Sequence, residues 1–559
     1  MSLRLQQPIP PVPDDTARIA RAAFPRGNPY LRLRDRLGPV FDDAGFADLY
    51  PQRGQPAYTP WRLALVTLMQ FRESLSDRQA AEAVRGRIDW KYLLALDLAD
   101  AGFDHTVLCE FRSRLLQHAA SERLLTRVLD TAREEGLLKA RGRQRTDSTH
   151  VLTAVRALNR IELLAETLRA ALNAVAVVAP DWLRALASPE WHERYDRRIE
   201  DMRLPETGPK RDAYVAQVGA DGFRLLAALD GADAPPDGAA LPAVAVLRRV
   251  GARHFERTGG GTGGGSDGQA SEDVRLRPAQ GRGPGDRIES PYDTEARFRA
   301  KAGTSWTGYM VHLTESCDEG APRLVVHTET TPANVHEAMR IEPIHAALAA
   351  QGIAPAEHLV DAGYMSAEHL MAARERYGID LVGPARPGTS WQNRTAGAFG
   401  HTDFAVDWES RVVRCPEGRE STSWREYQDD ARGRYIRVRF DAADCHACRS
   451  KPHCTRGQGQ GRQLTLNARE SSEALAAARA RLDSEPGRRL YAQRQGIEGT
   501  ISQGVRAFGL RRARYRGLAK AGLQNVAAAA ALNLDRLAAW FTKRPLAPTR
   551  VSRFAALAA

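Results

Sequence analysis

The sequence predicts an α/β protein: a mixed sheet flanked by helices, preceded by an all-helical N-terminal domain and interrupted by two insertions. Three observations predict this class. Segments rich in β-branched residues alternate with helical patterns between about residues 145 and 385. The residues before these segments show helix caps and helical periodicity. The order of strands and helices is interrupted twice by stretches of different composition, which are the two predicted insertions. At 559 residues the chain is also too long for one compact core.

The chain is strongly basic, with a net charge of +12 that comes mainly from arginine. Because arginine binds phosphate oxygens bidentately, this charge favours a polyanionic partner, with nucleic acid ahead of a membrane surface. The N-terminal residues lack the apolar core of a signal peptide, and no stretch is apolar for long enough to span a bilayer. We therefore expect a soluble cytoplasmic protein without a membrane partner, which associates with the nucleoid when it binds DNA.

Two segments precede the predicted sheet. Residues 1–30 are rich in proline and aspartate and are predicted to form a flexible arm. Residues 31–140 are predicted to be helical, because Thr59 and Pro60 resemble a helix start and Ser76 with Gln79 resembles a capping box. Basic residues on these helices suggest a helix-turn-helix type DNA-binding domain, with a packing or dimerisation domain as an equal alternative. They are Arg85, Arg87, Lys91, Arg112 and Arg114.

The predicted catalytic core begins with residues 141–392 and contains two aspartates in strand contexts. In the first strand, Arg145, Asp147 and Thr149 share one side, and a central aspartate is costly unless a positive group meets it. A helical and glycine-rich insertion over about 160–290 interrupts the strand order. Asp361 ends the later strand EHLVDAG, and the carboxyl ends of strands are where open α/β sheets place their chemistry.

The C-terminal helices of the core, predicted over 472–541, carry a third acidic residue; residues 542–559 are a tail. Tyr491, Arg494 and Glu498 are spaced three and four residues apart, which puts them on one face of a helix. A basic tract with an interleaved tyrosine follows and suggests contact with a DNA backbone, although such runs are also ordinary solvated surface. The basic residues of the tract assigned to DNA are Arg506, Arg511, Arg512, Arg514, Arg516 and Lys520.

The second insertion, over residues 393–471, contains four of the six cysteines. Cys415, Cys445, Cys448 and Cys454 could form a closed zinc site. Their spacing also suits an iron-sulfur cluster, and a third alternative is that they are free structural thiols. His446 and His453 could replace a missing thiolate. Cys109 and Cys317 are expected to be ordinary buried cysteines.

Several segments together resemble the DDE transposases of bacterial insertion sequences, which have an RNase H-like core, and within them the group called insertion sequence eleven-eighty-two. The segments are TDSTHV, KAGTSWTGYMVHLTES, EHLVDAGY, the cysteine segment and IEGTISQGVRAFGLRRARYRGLAKAGLQ. The resemblance implies that Asp147, Asp361 and Glu498 form a triad that holds Mg²⁺ or Mn²⁺. Tyr491 and Arg494 fit the tyrosine-arginine-glutamate part of the family signature. Where the signature has a lysine, this chain has Val505, and Arg506 or Arg511 could serve the same phosphate.

The resemblance also implies a function. We expect a transposase that binds the terminal inverted repeats of its element, hydrolyses phosphodiester bonds and joins the freed 3′-hydroxyl to target DNA. Two DNA ends must be paired, so we expect a homodimer or larger assembly in the synaptic complex. The alternatives are a structure-specific nuclease or resolvase on the same core and a catalytically inactive DNA-binding regulator.

Overall fold

The computed structural model describes most of the chain. Residues 1, 4–7, 203, 205–207, 259–272, 279–286, 302, 387–389, 430–432, 544–552, 555–556 and 558–559 are outside the described part. The glycine-rich loop predicted at 259–268 and most of the predicted tail therefore lie outside the described residues. Short 3-10 helices occur at Ala44–Leu49, Ile199–Asp201, Glu337–Arg340, Gln392–Arg394, His401–Asp403 and Gln493–Gln495.

The N-terminal region is helical, as predicted. Its helices are α1 Asp14–Ala23, α2 Pro29–Leu37, α3 Pro60–Glu73, α4 Asp77–Gly86, α5 Ile88–Leu93, α6 Thr106–Gln117 and α7 Arg123–Glu134. The capping box of Ser76 and Gln79 is confirmed, whereas the Thr59 side chain makes no capping hydrogen bond. The flexible arm predicted for residues 1–30 is wrong where α1 forms. Thr16 there is buried and donates a hydrogen bond to the carbonyl of Leu96 (2.9 Å).

Basic residues of this region make internal contacts. Arg112 is buried and pairs with Asp77 at 2.6 Å, and Arg87 pairs with Glu73 and Asp89. Lys91 donates to two backbone carbonyls and is also buried. Groups committed to internal partners are not free to bind phosphate, so these contacts support the packing alternative over DNA recognition by these residues.

The first insertion follows the first strand and has its own hydrophobic cluster. The first strand is β1 Arg143–Leu152. The elements of the insertion are α8 Arg160–Val178, α9 Pro180–Leu186, α10 Pro189–Tyr195, α11 Pro209–Leu229, α12 Pro242–His254, β2 Phe255–Thr258 and β3 Asp273–Leu276. Leu168, Leu225 and Val244 are fully buried within that cluster. The insertion therefore packs around apolar residues separate from those of the main sheet.

One mixed sheet forms the RNase H-like core. Its remaining elements are β4 Arg297–Lys301, β5 Thr304–Ser316, β6 Val325–Pro332, α13 Ile341–Ala350, β7 Glu357–Leu359, α14 Ala367–Tyr377 and β8 Asp380–Val382. The strand order is β4-β5-β1-β7-β8, with β6 also paired to β5. β1 runs antiparallel to β5 and parallel to β7, and Arg145 is in register with Leu359. This register puts Asp147 level with Asp361, two residues further along each chain segment.

The cysteine-containing segment and the last helices complete the fold. They are β9 Ala405–Asp407, β10 Val412–Arg414, β11 Ser421–Asp429, β12 Gly433–Phe440, α15 Ala442–Ala447, α16 Lys451–Cys454, β13 Gln463–Asn467, α17 Arg469–Asp483, α18 Glu485–Ala492, α19 Gly496–Phe508 and α20 Leu518–Phe541. The buried helix α20 packs against β6, α3 and α7 and so joins the sheet to the N-terminal helices. Its Asn533 bonds both backbone polar groups of Val325 at 2.8 Å. Within the described ranges, no helix combines the length and apolarity that a bilayer crossing would need.

Candidate active site

Asp147 and Asp361 lie on neighbouring parallel strands of the sheet. The Asp147 carboxylate is 16% exposed and accepts a hydrogen bond from the Ser148 backbone N–H (2.7 Å). Asp361 lies two residues beyond the end of the short strand β7 and accepts from the Gly363 N–H at 2.8 Å, which closes the turn before α14. The strand register thus presents both carboxylates at one level of the sheet.

The Asp147 carboxyl has a raised pKa. Burial is the main cause, and the negative charge of Asp361 adds to it, whereas Arg494 and the Ser148 N–H act in the opposite direction. The influence of Asp361 indicates that the two carboxylates are close enough to repel each other. A site of this kind favours a cation that can lie between the carboxylates.

Glu498 approaches the same site from α19. It lines with Asp147 an open cavity of about 420 Å³, and its side chain is 67% exposed. Arg494 connects the two acids, because its guanidinium lies 3.3 Å from a carboxylate oxygen of Asp147 and 3.7 Å from one of Glu498. The Arg494 Nε has no hydrogen-bond partner among the described residues. Arg494 and Glu498 thus lie on the same side of the chain, as predicted, and the Arg494 guanidinium is directed towards the carboxylates of Asp147 and Glu498.

Tyr491 is half-buried beside this arginine. It packs against the cluster that contains Leu359 and Val382, and its pKa is raised mainly by burial, with Arg494 lowering it and Asp361 raising it. The sequence predicted one helix through Tyr491 and Glu498, but a 3-10 turn at Gln493–Gln495 separates α18 from α19. Glycine is required just after this turn, since a Cβ at Gly496 would collide with the guanidinium of Arg145.

A buried polar network holds α19 on the sheet. Arg145 and Glu315, which are 2% and 0% exposed, form an ion pair of 2.5 Å between β1 and β5. Glu315 also pairs with Arg536 of α20 at 3.0 Å and accepts from Thr500 of α19. The network therefore joins the strand of Asp147 to the helix of Glu498. Sequence reasoning missed Glu315, Arg536 and Thr500; the only signal was an acidic residue ending the apolar pattern of a buried strand.

The basic tract divides into two parts. Arg506 and Arg511 line the cavity of Asp147 and Glu498, and Arg511 also donates to the Thr149 hydroxyl (2.9 Å). Val505 lines this cavity too, at the position where the signature has lysine. Arg512 and Lys520 are exposed.

The other part of the tract packs internally. Arg514 stacks on Phe71 at 4.9 Å and donates to the Leu75 carbonyl (2.9 Å), so its guanidinium has internal partners, and its assignment to DNA stays a prediction. Arg516 is exposed but lies over the Tyr292 ring at 5.1 Å.

The four clustered cysteines lie around one small cavity of about 30 Å³. All six cysteines are free, Cys317 is buried as expected, and Cys109 is exposed beside Asp77, contrary to expectation. In the described part of the chain, no group of three or more His, Cys, Asp or Glu side chains is already arranged to hold a metal ion. Metal binding at either cluster would therefore require side chains to move closer together.

Two family models match the chain. Residues 414–538 match a model described as "Transposase DDE domain", and residues 19–114 match "Transposase domain (DUF772)". The first range contains the cysteine cluster, Arg494 and Glu498, whereas Asp147 and Asp361 precede it. Comparison with curated proteins gave no match, and neither did comparison with solved structures.

Proposed function

Because the two family matches indicate an insertion-sequence DDE transposase, whose partner is DNA, we propose that this chain cleaves and joins DNA at the ends of its own element. It binds the terminal inverted repeats, hydrolyses a phosphodiester bond at each end and directs the freed 3′-hydroxyl onto target DNA. The narrower group, insertion sequence eleven-eighty-two, stays a prediction. Two ends must be held together, so the active assembly contains at least two copies of the chain.

The observation that carries this proposal is the arrangement of Asp147 and Glu498, which line one cavity and both lie near the Arg494 guanidinium, with Asp361 beyond the end of the strand next to that of Asp147. The negative charge of Asp361 contributes to the raised pKa of Asp147, and Asp147 and Glu498 line the cavity together. Carboxylate oxygens are the ligands that Mg²⁺ and Mn²⁺ prefer, so these three residues would hold the ions. When bound, such ions activate a water or hydroxyl nucleophile and stabilise the leaving oxygen.

The surrounding side chains of the protein bind and orient the DNA. Arg506 and Arg511 are positioned to contact a phosphate that enters the cavity, and either supplies the positive charge absent at Val505. Tyr491, beside Arg494 and partly exposed, positions the strand or packs against it. Arg512 and Lys520 extend the positive surface along the backbone. A Zn²⁺ ion at the four cysteines would be structural, because four thiolates leave no open position for a reacting group.

Strand transfer tests this function. Linear DNA carrying the short inverted repeats that flank the gene is incubated with the protein, Mg²⁺ and a circular target plasmid. We expect the 3′ ends of the repeat DNA to become covalently joined to the plasmid. Cleavage of branched DNA without joining would support the nuclease alternative, and sequence-specific binding without any strand breakage would support the inactive regulator.

Arg494 competes with metal ions in the free protein, which gives a separate prediction. Its guanidinium neutralises Asp147 and Glu498, so Arg494→Ala should make Mn²⁺ bind more tightly while DNA cleavage falls, because alanine cannot bind the phosphate. Titration calorimetry measures the first effect and a cleavage assay the second. Arg494→Lys, which keeps the charge, should leave Mn²⁺ affinity near the native value. Weaker Mn²⁺ binding by Arg494→Ala would contradict this role.

A further inference from the structure

The cysteine segment has little apolar core of its own. Its hydrophobic cluster contains seven buried residues, which are Phe404, Val413, Ile436, Val438, Phe440, Leu464 and Leu466. Small units with cores of this size are commonly stabilised by disulfides or metal ions. The cysteines here are free, and three of them pack against this same cluster.

The four thiols come from three short segments around one cavity, and they must move closer together to share an ion. Cys415 precedes a tight turn, Cys445 and Cys448 flank the end of α15, and Cys454 ends α16. All four line one cavity of about 30 Å³. A cavity above roughly 10–15 Å³ holds one water-sized sphere, so the space suits a single ion.

The surroundings are arranged to support negative sulfur atoms. The backbone N–H groups of Arg419 and Arg462 donate to the sulfurs of Cys415 and Cys445, both at 3.3 Å. Gly418, at φ 81°, forms the turn that directs the first of these donors. The Arg462 guanidinium lies against the cysteines, and its Nε has no hydrogen-bond partner in the described part of the protein. Hydrogen-bond donors of this kind orient sulfur ligands around a metal ion.

We propose that Cys415, Cys445, Cys448 and Cys454 bind one structural Zn²⁺ ion. This proposal does not depend on the transposase function. Four thiolates complete the tetrahedral shell that structural zinc prefers. Neither histidine is required: the ring of His446 contacts Lys451, whose charged ammonium also lines the cavity wall.

Metal analysis of the full-length protein after dialysis against EDTA tests the site. We expect one zinc equivalent per chain in the native protein, in Cys109→Ser, in Asp147→Asn and in the double variant His446→Ala/His453→Ala, and a loss of zinc in Cys448→Ser. Cobalt substitution should give the visible bands of a tetrahedral thiolate complex. Because Asp147→Asn keeps its zinc, the result is independent of the catalytic site.

Three outcomes would overturn the zinc proposal. Iron and sulfide with visible absorption would indicate a cluster instead. Intact-mass evidence of disulfides among the four cysteines would exclude thiolate ligation. Native protein with neither metal nor disulfides would mean that the thiols are simply free.

The outer face of the β11-β12-β13 sheet supports a second inference, which is independent of the zinc site. We call it the arginine-tyrosine face, and it consists of Arg425, Tyr427, Tyr435, Arg437 and Arg439. Arg425 is directly opposite Arg437, and Tyr427 is opposite Tyr435. The tyrosine rings stack at 5.5 Å and 13°, and the Arg437 guanidinium lies 4.9 Å from the Tyr427 ring centre.

This arrangement is costly unless an anion binds to it. Like charges directly opposite on neighbouring strands destabilise a sheet. No carboxylate within the described residues forms an ion pair with Arg425, Arg437 or Arg439, and Arg425 and Arg439 are exposed. The opposite side of the sheet packs on the small core, so Arg425, Tyr427 and Arg439 are presented to solvent, whereas Tyr435 is buried. We infer that it binds the phosphate backbone of duplex DNA, an inference that rests on the proposed DNA function.

Binding to two duplexes of equal length, one with the terminal repeat and one unrelated, tests this face. The variant Arg425→Gln/Arg437→Gln/Arg439→Gln should bind both duplexes more weakly by a similar factor, because backbone contacts carry no sequence information. The slope of log affinity against log salt should fall by up to about 2.7, at about 0.9 for each phosphate that the variant no longer neutralises. Its melting temperature should change little, because relief of the repulsion between opposed arginines offsets the loss of the Arg437 contacts with the two tyrosine rings.

The control removes the same charge from an exposed part of the first insertion, by Lys210→Gln/Arg211→Gln/Arg249→Gln. We expect little change in its salt slope. An unchanged slope in the face variant would overturn the inference, and so would an equal fall in the control, which would indicate net charge alone. A failure of the catalytic proposal would be seen separately, in the strand-transfer assay, because the salt slope reports only on DNA binding.

Discussion

Replacing any one of the three acidic residues should abolish detectable DNA cleavage and strand transfer while DNA binding persists. The variants are Asp147→Asn, Asp361→Asn and Glu498→Gln, which keep the shape of each side chain and remove its charge. Metal-bound charge stabilisation supplies several kcal/mol, so we expect losses of at least about 10²- to 10³-fold at about 1.4 kcal/mol per factor of ten. Gel assays of end cleavage with Mg²⁺ measure the effect.

Glu485→Gln is the matched control for this series. Glu485 begins the neighbouring helix and is exposed, and within the described residues its one ion pair is with Arg489 in the next turn. Its replacement should leave cleavage within about twofold of native, since exposed pairs of this kind contribute little. Native-level cleavage by any of the three acidic variants would remove that residue from the catalytic assignment.

Breaking the buried network beneath α19 should have the largest effect on stability. In Glu315→Ala, the charges of Arg145 and Arg536 lose their shared partner, and Thr500 loses its acceptor. Loss of one partner from a buried ion pair costs about 3–5 kcal/mol. We expect a clearly lower melting temperature and also lower cleavage activity, because the network holds the helix of Glu498 against the strand of Asp147.

Two controls separate the buried network from general effects of charge. Asp181→Ala removes the partner of Arg184 in an exposed pair at 2.5 Å and should cost at most about 1 kcal/mol. Arg145→Met/Glu315→Leu replaces the pair by apolar side chains and should be less destabilised than Glu315→Ala. A native melting temperature for Glu315→Ala would show that the network does not stabilise the fold.

Local sequence patterns could predict much of the core. Alternating polarity identified the strand of Asp147, and the turn at Gly363 identified the end of the strand before Asp361. The capping box of Ser76 and Gln79 was also readable, because its hydrogen bonds join residues three positions apart. These features depend on near neighbours, which a sequence displays directly.

Contacts between distant residues could not be predicted in the same way. Arg494 reaches Asp147 across 347 positions, and Glu315 meets Arg536 across 221. Whether an arginine such as Arg514 faces solvent or stacks on Phe71 depends on how α3 packs against the tract. Helix α1 was not predicted for the same reason, because its buried Thr16 donates a hydrogen bond to the Leu96 carbonyl, 80 residues away.

The most direct test of the central claim is a crystal structure of the full-length chain with Mn²⁺, in which anomalous scattering locates the ions. We predict manganese ligated by Asp147, Asp361 and Glu498, with the Arg494 guanidinium displaced from Asp147. Manganese bound elsewhere, or bound by only one of these carboxylates while Arg494 keeps its present ion pairs, would contradict the account.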